Sequence, residues 1–123
     1  MAQFTLLAAT VYGMLGVILG AFGAHALAAR LTQDSLAIWQ TAVQYQFYHA
    51  LALLGLGLLL RSTAHSGWLN AAAVCFAAGV LVFSGSLYAL ALSNVRWLGA
   101  ITPFGGLLFV AGWCALLIGL LRG

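Results

Sequence analysis

The sequence is poor in charged residues, which make up only 4% of its 123 residues. It contains no Lys and no Glu, and its formal charges are Arg30, Arg61, Arg96, Arg122 and the single acid Asp34. A soluble domain carries roughly a quarter charged residues, so this composition, with a mean hydropathy of +1.13, excludes an ordinary soluble globule. Because no basic cluster accompanies the pI near 9.3, we expect no nucleic-acid partner.

The sequence also lacks the residues that most metal and catalytic sites require. Cys75 and Cys114 lie in apolar stretches without CxxC or Cys/His ligand spacing, and we expect them to pack as small apolar residues. A metal site uses three or four convergent ligands, whereas the apolar segments hold two His residues, His25 and His49, with no carboxylate or thiolate at ligand spacing. No nucleophile–base–acid set is visible, so we predict no catalytic residues, no metal, no cofactor and no enzymatic activity.

Long apolar segments dominate the rest of the chain. Four of them, at about 4–29, 36–60, 68–92 and 103–121, each suffice to cross a hydrocarbon layer that needs about 20 helical residues. Inside lipid the backbone must satisfy its own hydrogen bonds, so these segments are predicted to be helices. The breaks between them are short, which makes successive helices antiparallel. The sequence therefore predicts an all-α, integral-membrane, four-helix antiparallel bundle that forms one transmembrane domain over 1–123.

Helix start signals agree with these segments. Asp34 or Ser35 is suited to the N-cap of the second helix. Thr102 followed by Pro103 has the pattern of an N-cap and a first helical residue for the fourth.

The arginines are divided evenly between the two ends of the predicted bundle. Arg61 and Arg122 lie at the end that carries both termini, and Arg30 and Arg96 lie at the other. Because excess Lys and Arg marks the cytoplasmic side, the terminal amine and the acid beside Arg30 favour cytoplasmic termini. A balance this close also permits insertion in both orientations.

Small residues form stripes on the first and fourth predicted helices. The glycines concerned are Gly13, Gly16, Gly20 and Gly23 in the first helix and Gly105, Gly112 and Gly119 in the fourth. Stripes with this spacing let helix backbones approach closely in membranes. They indicate tight packing within the bundle or, alternatively, the seam of a homo-oligomer.

The first half of the second helix carries an unusual run of polar and aromatic residues, from Gln40 to His49. At 100° per residue most of its polar members share one arc, which we expect to face inward. Phe47 and Ala50 are expected to face lipid, with Gln46 near that edge. Matching depths across the hairpins adds residues from the first and third helices. The predicted buried polar layer comprises His25, Gln40, Gln44, Tyr45, Tyr48, His49, Ser84 and Tyr88.

Several motifs, taken in order, resemble one family. They are residues 20–27 (GAFGAHAL), 39–53 (WQTAVQYQFYHALAL), 83–88 (FSGSLY), 99–106 (GAITPFGG) and 111–113 (AGW). Together they resemble the small bacterial four-helix membrane-protein family of unknown function typified by YgdD and YwdK. The resemblance implies a multi-pass protein of the bacterial inner membrane. It implies no activity, and it supplies no catalytic residues.

Two kinds of function remain open at this stage. The first is a non-enzymatic protein that binds a partner helix, a membrane lipid or another hydrophobic molecule through the polar layer, with a second copy or another membrane protein as partner. The alternative is a small transporter or channel that uses His25 and His49, since intramembrane ionisable residues often mark transport pathways. Each His could equally make a structural hydrogen bond between helices. A lipid-modifying enzyme is the weakest hypothesis, because it lacks a catalytic set.

Overall fold

The computed structural model describes residues 1–122, which form four long helices joined by short connections. The helices are α1 (Ala2–His25), α2 (Gln33–Ser62), α3 (Gly67–Ser93) and α4 (Thr102–Arg122), with single 3₁₀ segments at Leu27–Ala29 and Arg96–Ala100. All four helical regions are long and apolar enough to span a membrane. The predicted all-α membrane bundle is confirmed.

The helices pack in chain order. Helix α1 lies along α2, α2 along α3 and α3 along α4, while α1 only touches α3 and does not pack on α4 within residues 1–122. Helices α2 and α3 therefore form the centre of the bundle, and each outer helix has a broad face directed away from it. This arrangement leaves α2 with one side against α1 and another against α3.

The start of α2 differs from the sequence prediction. Its N-cap is Thr32, whose hydroxyl oxygen accepts a hydrogen bond of 3.2 Å from the backbone N–H of Ser35. The prediction of Asp34 or Ser35 as the cap is therefore wrong. Asp34 instead lies in the first turn, where a carboxylate interacts favourably with the helix dipole. Ser35 is buried, and its hydroxyl donates to Asn94 Oδ1 at 3.3 Å, which ties the start of α2 to the end of α3.

Helices α1 and α4 also differ in detail from the expected boundaries. Helix α1 ends at His25 rather than near residue 29, and the chain continues through a 3₁₀ turn that buries Leu27. Helix α4 begins at Thr102, one residue before the predicted first helical residue Pro103. The Thr102 hydroxyl lies 2.6 Å from the Ser86 hydroxyl, so it joins α4 to α3.

Three glycines of α1 lie under large side chains of α2. A Cβ at Gly16 would lie 2.9 Å from the Phe47 ring, and one at Gly23 would lie 2.6 Å from the Trp39 ring. Gly20 is looser, since a Cβ there would meet Val43 at 3.4 Å. Phe47 is thus partly buried against α1, which contradicts its predicted lipid-facing position.

The glycines of α4 lie against α3 in the same way. A Cβ at Gly105 would collide with the backbone of Phe83, coming within 2.6 Å of its Cα atom. At Gly112 it would reach the Phe76 ring at 2.7 Å, and at Gly119 the Leu69 side chain at 2.8 Å. The α4 stripe therefore lies at the contact with α3.

Gly13 differs from the other glycines of the predicted stripes. A Cβ at this position would meet nothing within 4 Å, so Gly13 does not lie at an intramolecular contact. Two further glycines that the stripes did not include do lie at such contacts. They are Gly57 against Leu6 and Gly79 against Phe109, each with a Cβ distance of 2.6 Å.

Candidate functional site

The structure separates the predicted polar layer into an inner and an outer group. His49 and Ser84 are buried, and Tyr88 is half-buried. The other members are exposed on the outside of the bundle: His25, Gln40, Gln44, Tyr45 and Tyr48. The prediction that all eight side chains line one interior layer is therefore wrong for these five exposed residues.

The reason lies in the position of α2 between two neighbours. Its buried face contains Trp39, Ala42, Gln46, His49, Ala50 and Leu53, a set with helical spacing. The prediction followed the most polar arc, on the premise that polar residues avoid lipid. The packing instead follows the arc that fits both α1 and α3, so Ala50 is only 2% exposed and does not face lipid as expected.

Gln46 is the centre of a hydrogen-bond network that the sequence analysis missed. Its Nε2 donates to the backbone oxygen of Tyr12 at 2.8 Å, and its Oε1 accepts from the Tyr88 hydroxyl at 2.6 Å. The Tyr12 hydroxyl in turn donates to the Ala77 oxygen at 2.7 Å. Gln46 is 3% exposed, so its predicted place at the lipid edge is wrong. The network joins α1, α2 and α3.

His49 occupies a second interior position, close to the middle of α2. Its Nδ1 lies 2.8 Å from the Tyr45 backbone oxygen, and the Trp113 indole N–H donates to its Nε2 at 3.1 Å. A carbonyl oxygen only accepts and an indole N–H only donates, so the ring is neutral with its proton on Nδ1. The ring stacks on Phe109, with a centroid distance of 3.6 Å and an interplanar angle of 6°. Both nitrogens are therefore occupied by the protein.

Ser84 completes the interior polar contacts among the predicted residues. It is fully buried, and its hydroxyl donates to the Ala42 backbone oxygen at 2.7 Å. Throughout residues 1–122, each buried side-chain nitrogen or oxygen has a hydrogen-bond partner. Hydrogen bonds within the bundle thus satisfy the buried polar atoms of the inner group.

The outer side of the α1–α2 pair, which we call the outer α1–α2 face, presents Gln40 and Gln44. Tyr45 instead packs against Phe83 of α3 and Phe109 of α4. One groove of about 270 Å³ is lined by Gly20, Ala24, Trp39, Gln40, Val43 and Gln44. A smaller one of about 190 Å³ lies further along the same helix pair and is lined by Ala9, Thr10, Gly13, Phe47, Ala50, Leu51 and Leu54. This face therefore combines small residues of α1 with the side-chain amides of Gln40 and Gln44.

The depth of the amides follows from helix geometry. Helix α2 has 30 residues, and at 1.5 Å per residue Gln44 lies about 5 Å and Gln40 about 11 Å from its middle. Both fall within the roughly 15 Å half-thickness of a hydrocarbon layer centred there. Neither side chain makes a hydrogen bond within residues 1–122.

Metal-binding groups do not come together in the described part of the chain. No group of three or more His, Cys, Asp or Glu residues is placed to hold an ion in residues 1–122. Cys75 is partly exposed and Cys114 exposed, and both are free thiols. His25 ends α1 on the outside of the bundle, away from the interior position of His49.

The sequence of this helical region matches a known family. Residues 19–106 match a family model described as "Protein of unknown function (DUF423)". The inner membrane protein YgdD of Escherichia coli K12 is 41% identical over 121 residues, which cover 98% of this chain and 92% of YgdD. The chain belongs to the DUF423 family.

Other members of the DUF423 family are similar over most of their length. A UPF0382 membrane protein of Staphylococcus haemolyticus is 48% identical over 109 residues, covering 85% of this chain and 84% of the relative. One from Staphylococcus epidermidis is 48% identical over 113 residues, covering 89% and 88%. No solved structure matches the chain. This DUF423 protein is thus a multi-pass protein of the bacterial inner membrane, in a family whose function is unknown.

Proposed function

We propose that this protein is a non-enzymatic membrane protein that binds a partner transmembrane helix on the outer α1–α2 face. The observation that carries the proposal is the position of Gln44. Its side-chain amide is exposed at hydrocarbon depth without a partner in residues 1–122. An amide that faces lipid cannot replace its lost hydrogen bonds with water, so a second polar group on a bound helix would stabilise it.

The shape of the face supports a helix as the bound partner. Gly13 has free space above its Cα atom, and the two grooves run along the crossing of α1 and α2. Small residues allow close approach of another helix backbone in lipid, where packing and hydrogen bonds replace the hydrophobic effect as the driving force. An acyl chain could fill the grooves, but it would leave the amides unsatisfied.

The interior gives less support to transport or catalysis. A proton-coupled pathway through His49 would need a free ring nitrogen, yet both nitrogens have partners within the bundle. The hydroxyl of Ser84 is likewise directed to a backbone oxygen rather than to a neighbouring base. We therefore favour binding over a transport or enzymatic role.

Site-specific photo-crosslinking in native membranes tests the proposal. A benzophenone amino acid at Leu51, which lines the smaller groove, should give a discrete crosslinked species. Gln44→Leu should lower its yield about threefold, the equivalent of one interhelical hydrogen bond of ~0.6 kcal/mol. Gln44→Asn keeps an amide and should retain more of the yield.

A matched control uses the same crosslinker at Leu117, which is exposed at 58% on α4. Crosslinking from Leu117 should give no discrete species whose yield changes in Gln44→Leu. Equal crosslinking from Leu51 in wild type and Gln44→Leu would contradict the proposal. The mass of the crosslinked species also distinguishes a second copy of this chain from a different membrane protein.

A further inference from the structure

A cavity of about 700 Å³ lies at the end of the bundle that carries the termini, between the ends of α2, α3 and α4. Its apolar lining comes from helical leucines, among them Leu59 and Leu69. Its polar lining includes Thr63 and His65 in the α2–α3 connection and Arg122 in the last turn of α4. The volume lies within the range of small-molecule sites, about 300–1,000 Å³.

The side chains that line this cavity carry a positive charge, which comes from Arg122. Arg122 packs over the Trp68 ring, with its guanidinium carbon 5.9 Å from the ring centroid. The only acidic residue of the chain, Asp34, lies at the opposite end of the bundle, about 40 Å away along α2. No Asp or Glu side chain in residues 1–122 lies near the Arg122 guanidinium, whose planar set of N–H donors is suited to an anion.

His65 adds a second polar group to the lining. Asn70 Nδ2 lies 3.5 Å from His65 Nδ1, and since an amide nitrogen only donates, Nδ1 accepts. With Nδ1 accepting, Nε2 is the ring nitrogen that donates a hydrogen bond. Arg122 and His65 thus both supply donors to one cavity.

The position of the cavity in the membrane limits what can fill it. Trp68 and Arg122 lie at helix ends, the level at which aromatic and basic residues meet the lipid headgroups. The apolar lining from α2 and α3 lies on the hydrocarbon side of the polar residues. An anionic headgroup with its acyl chain attached would match both parts of the lining.

We infer that this cavity binds the phosphate of an anionic phospholipid, with Arg122 and His65 as donors to the headgroup and the leucines against the acyl chain. The inference does not depend on the partner-helix proposal, because the cavity lies at the end of the bundle and shares no residue with the outer α1–α2 face.

Native mass spectrometry of the full chain in nanodiscs tests the inference. With equimolar phosphatidylglycerol and phosphatidylcholine, the wild-type protein should retain phosphatidylglycerol in preference. Arg122→Gln should reduce this preference roughly fivefold, the contribution of one basic residue at an anionic surface. Arg122→Lys should keep most of it, since the charge remains. His65→Gln should have a smaller effect in the same direction.

Arg30→Gln is the matched control, because it removes the same charge at the other end of the bundle. It should leave the preference unchanged. Equal losses in Arg122→Gln and Arg30→Gln, or no preference in the wild type, would overturn the inference. Displacement of phosphatidylglycerol by millimolar glycerol 3-phosphate would also overturn it, because the site would then take a free phosphate ester rather than the lipid. Unchanged thermal unfolding of Arg122→Gln ensures that a loss reflects the site and not the fold.

Discussion

Gln44 and Gln46 are two residues apart in α2, yet they lie in opposite environments. Gln46 is 3% exposed and bonds to both α1 and α3, whereas the Gln44 amide faces outward without a partner in the described chain. The same chemical group thus holds the helices together on one side and is available for binding on the other. The role of a polar residue in a membrane helix therefore depends on the helix face that carries it.

The difference also separates structural from functional candidates in the molecule. The buried residues Gln46, His49 and Ser84 have every buried polar atom satisfied within residues 1–122, so we expect substitutions there to change stability. On the outer α1–α2 face, a Cβ at Gly13 would contact nothing and Gln44 is exposed. We therefore expect substitutions on this face to change association with a partner. Three pairs of variants test this division.

The largest contrast is expected between Gly105→Ala and Gly13→Ala. A methyl group at Gly105 would collide with the Phe83 backbone, which cannot rotate away as a side chain could. We expect a loss of about 2–3 kcal/mol in the free energy of unfolding, as in overpacked cores. At Gly13 the methyl group meets open space, and no loss is expected. Unfolding in mixed micelles titrated with SDS measures both, and equal losses would contradict the division.

The second contrast is between Gln46→Leu and Gln44→Leu. Leucine at position 46 removes two interhelical hydrogen bonds and leaves the hydroxyl of the half-buried Tyr88 without its acceptor. We expect a loss of about 1–2 kcal/mol. Leucine at position 44 faces lipid and should change the unfolding free energy by less than about 0.5 kcal/mol. The same SDS titration compares the two variants. A larger loss of unfolding free energy for Gln44→Leu than for Gln46→Leu would contradict the assignment of the structural role to Gln46.

The smallest effect is expected for the hydrogen bond between His49 and Trp113. A double-mutant cycle with His49→Phe and Trp113→Phe removes the bond while retaining a ring against Phe109. The coupling energy should be about 0.6 kcal/mol, the average for such bonds in membranes. Additive losses from the two single variants would mean that the His49 ring is held by stacking alone.

Much of the fold could be predicted from the sequence because the four spans are long and their breaks are short. The hydrocarbon thickness and the need to satisfy backbone groups leave helices as the only solution. Glycine spacing on α4 similarly pointed to a packing face. These rules do not determine which face of α2 is buried, because that depends on how α2 packs against α1 and α3 together.

The polar layer shows why that angle could not be read from α2 alone. Gln46 lies two residues after the outward-facing Gln44, and its hydrogen bonds to the Tyr12 oxygen and the Tyr88 hydroxyl place it in the interior. His49 was assigned inward on periodicity, but its partner Trp113 comes from α4, far along the chain. Pairings across 42 and 64 residues leave no local pattern. The α2 start was missed for a smaller reason, since Thr32, Asp34 and Ser35 are all good caps.

The most direct test of the two-sided α2 helix is the Leu51 photo-crosslink, measured per folded molecule in both glutamine variants. We expect Gln44→Leu to lower the yield about threefold and Gln46→Leu to leave it unchanged in the fraction that remains folded. A yield that falls with Gln46→Leu and is unaffected by Gln44→Leu would mean that the binding group lies in the interior of the bundle.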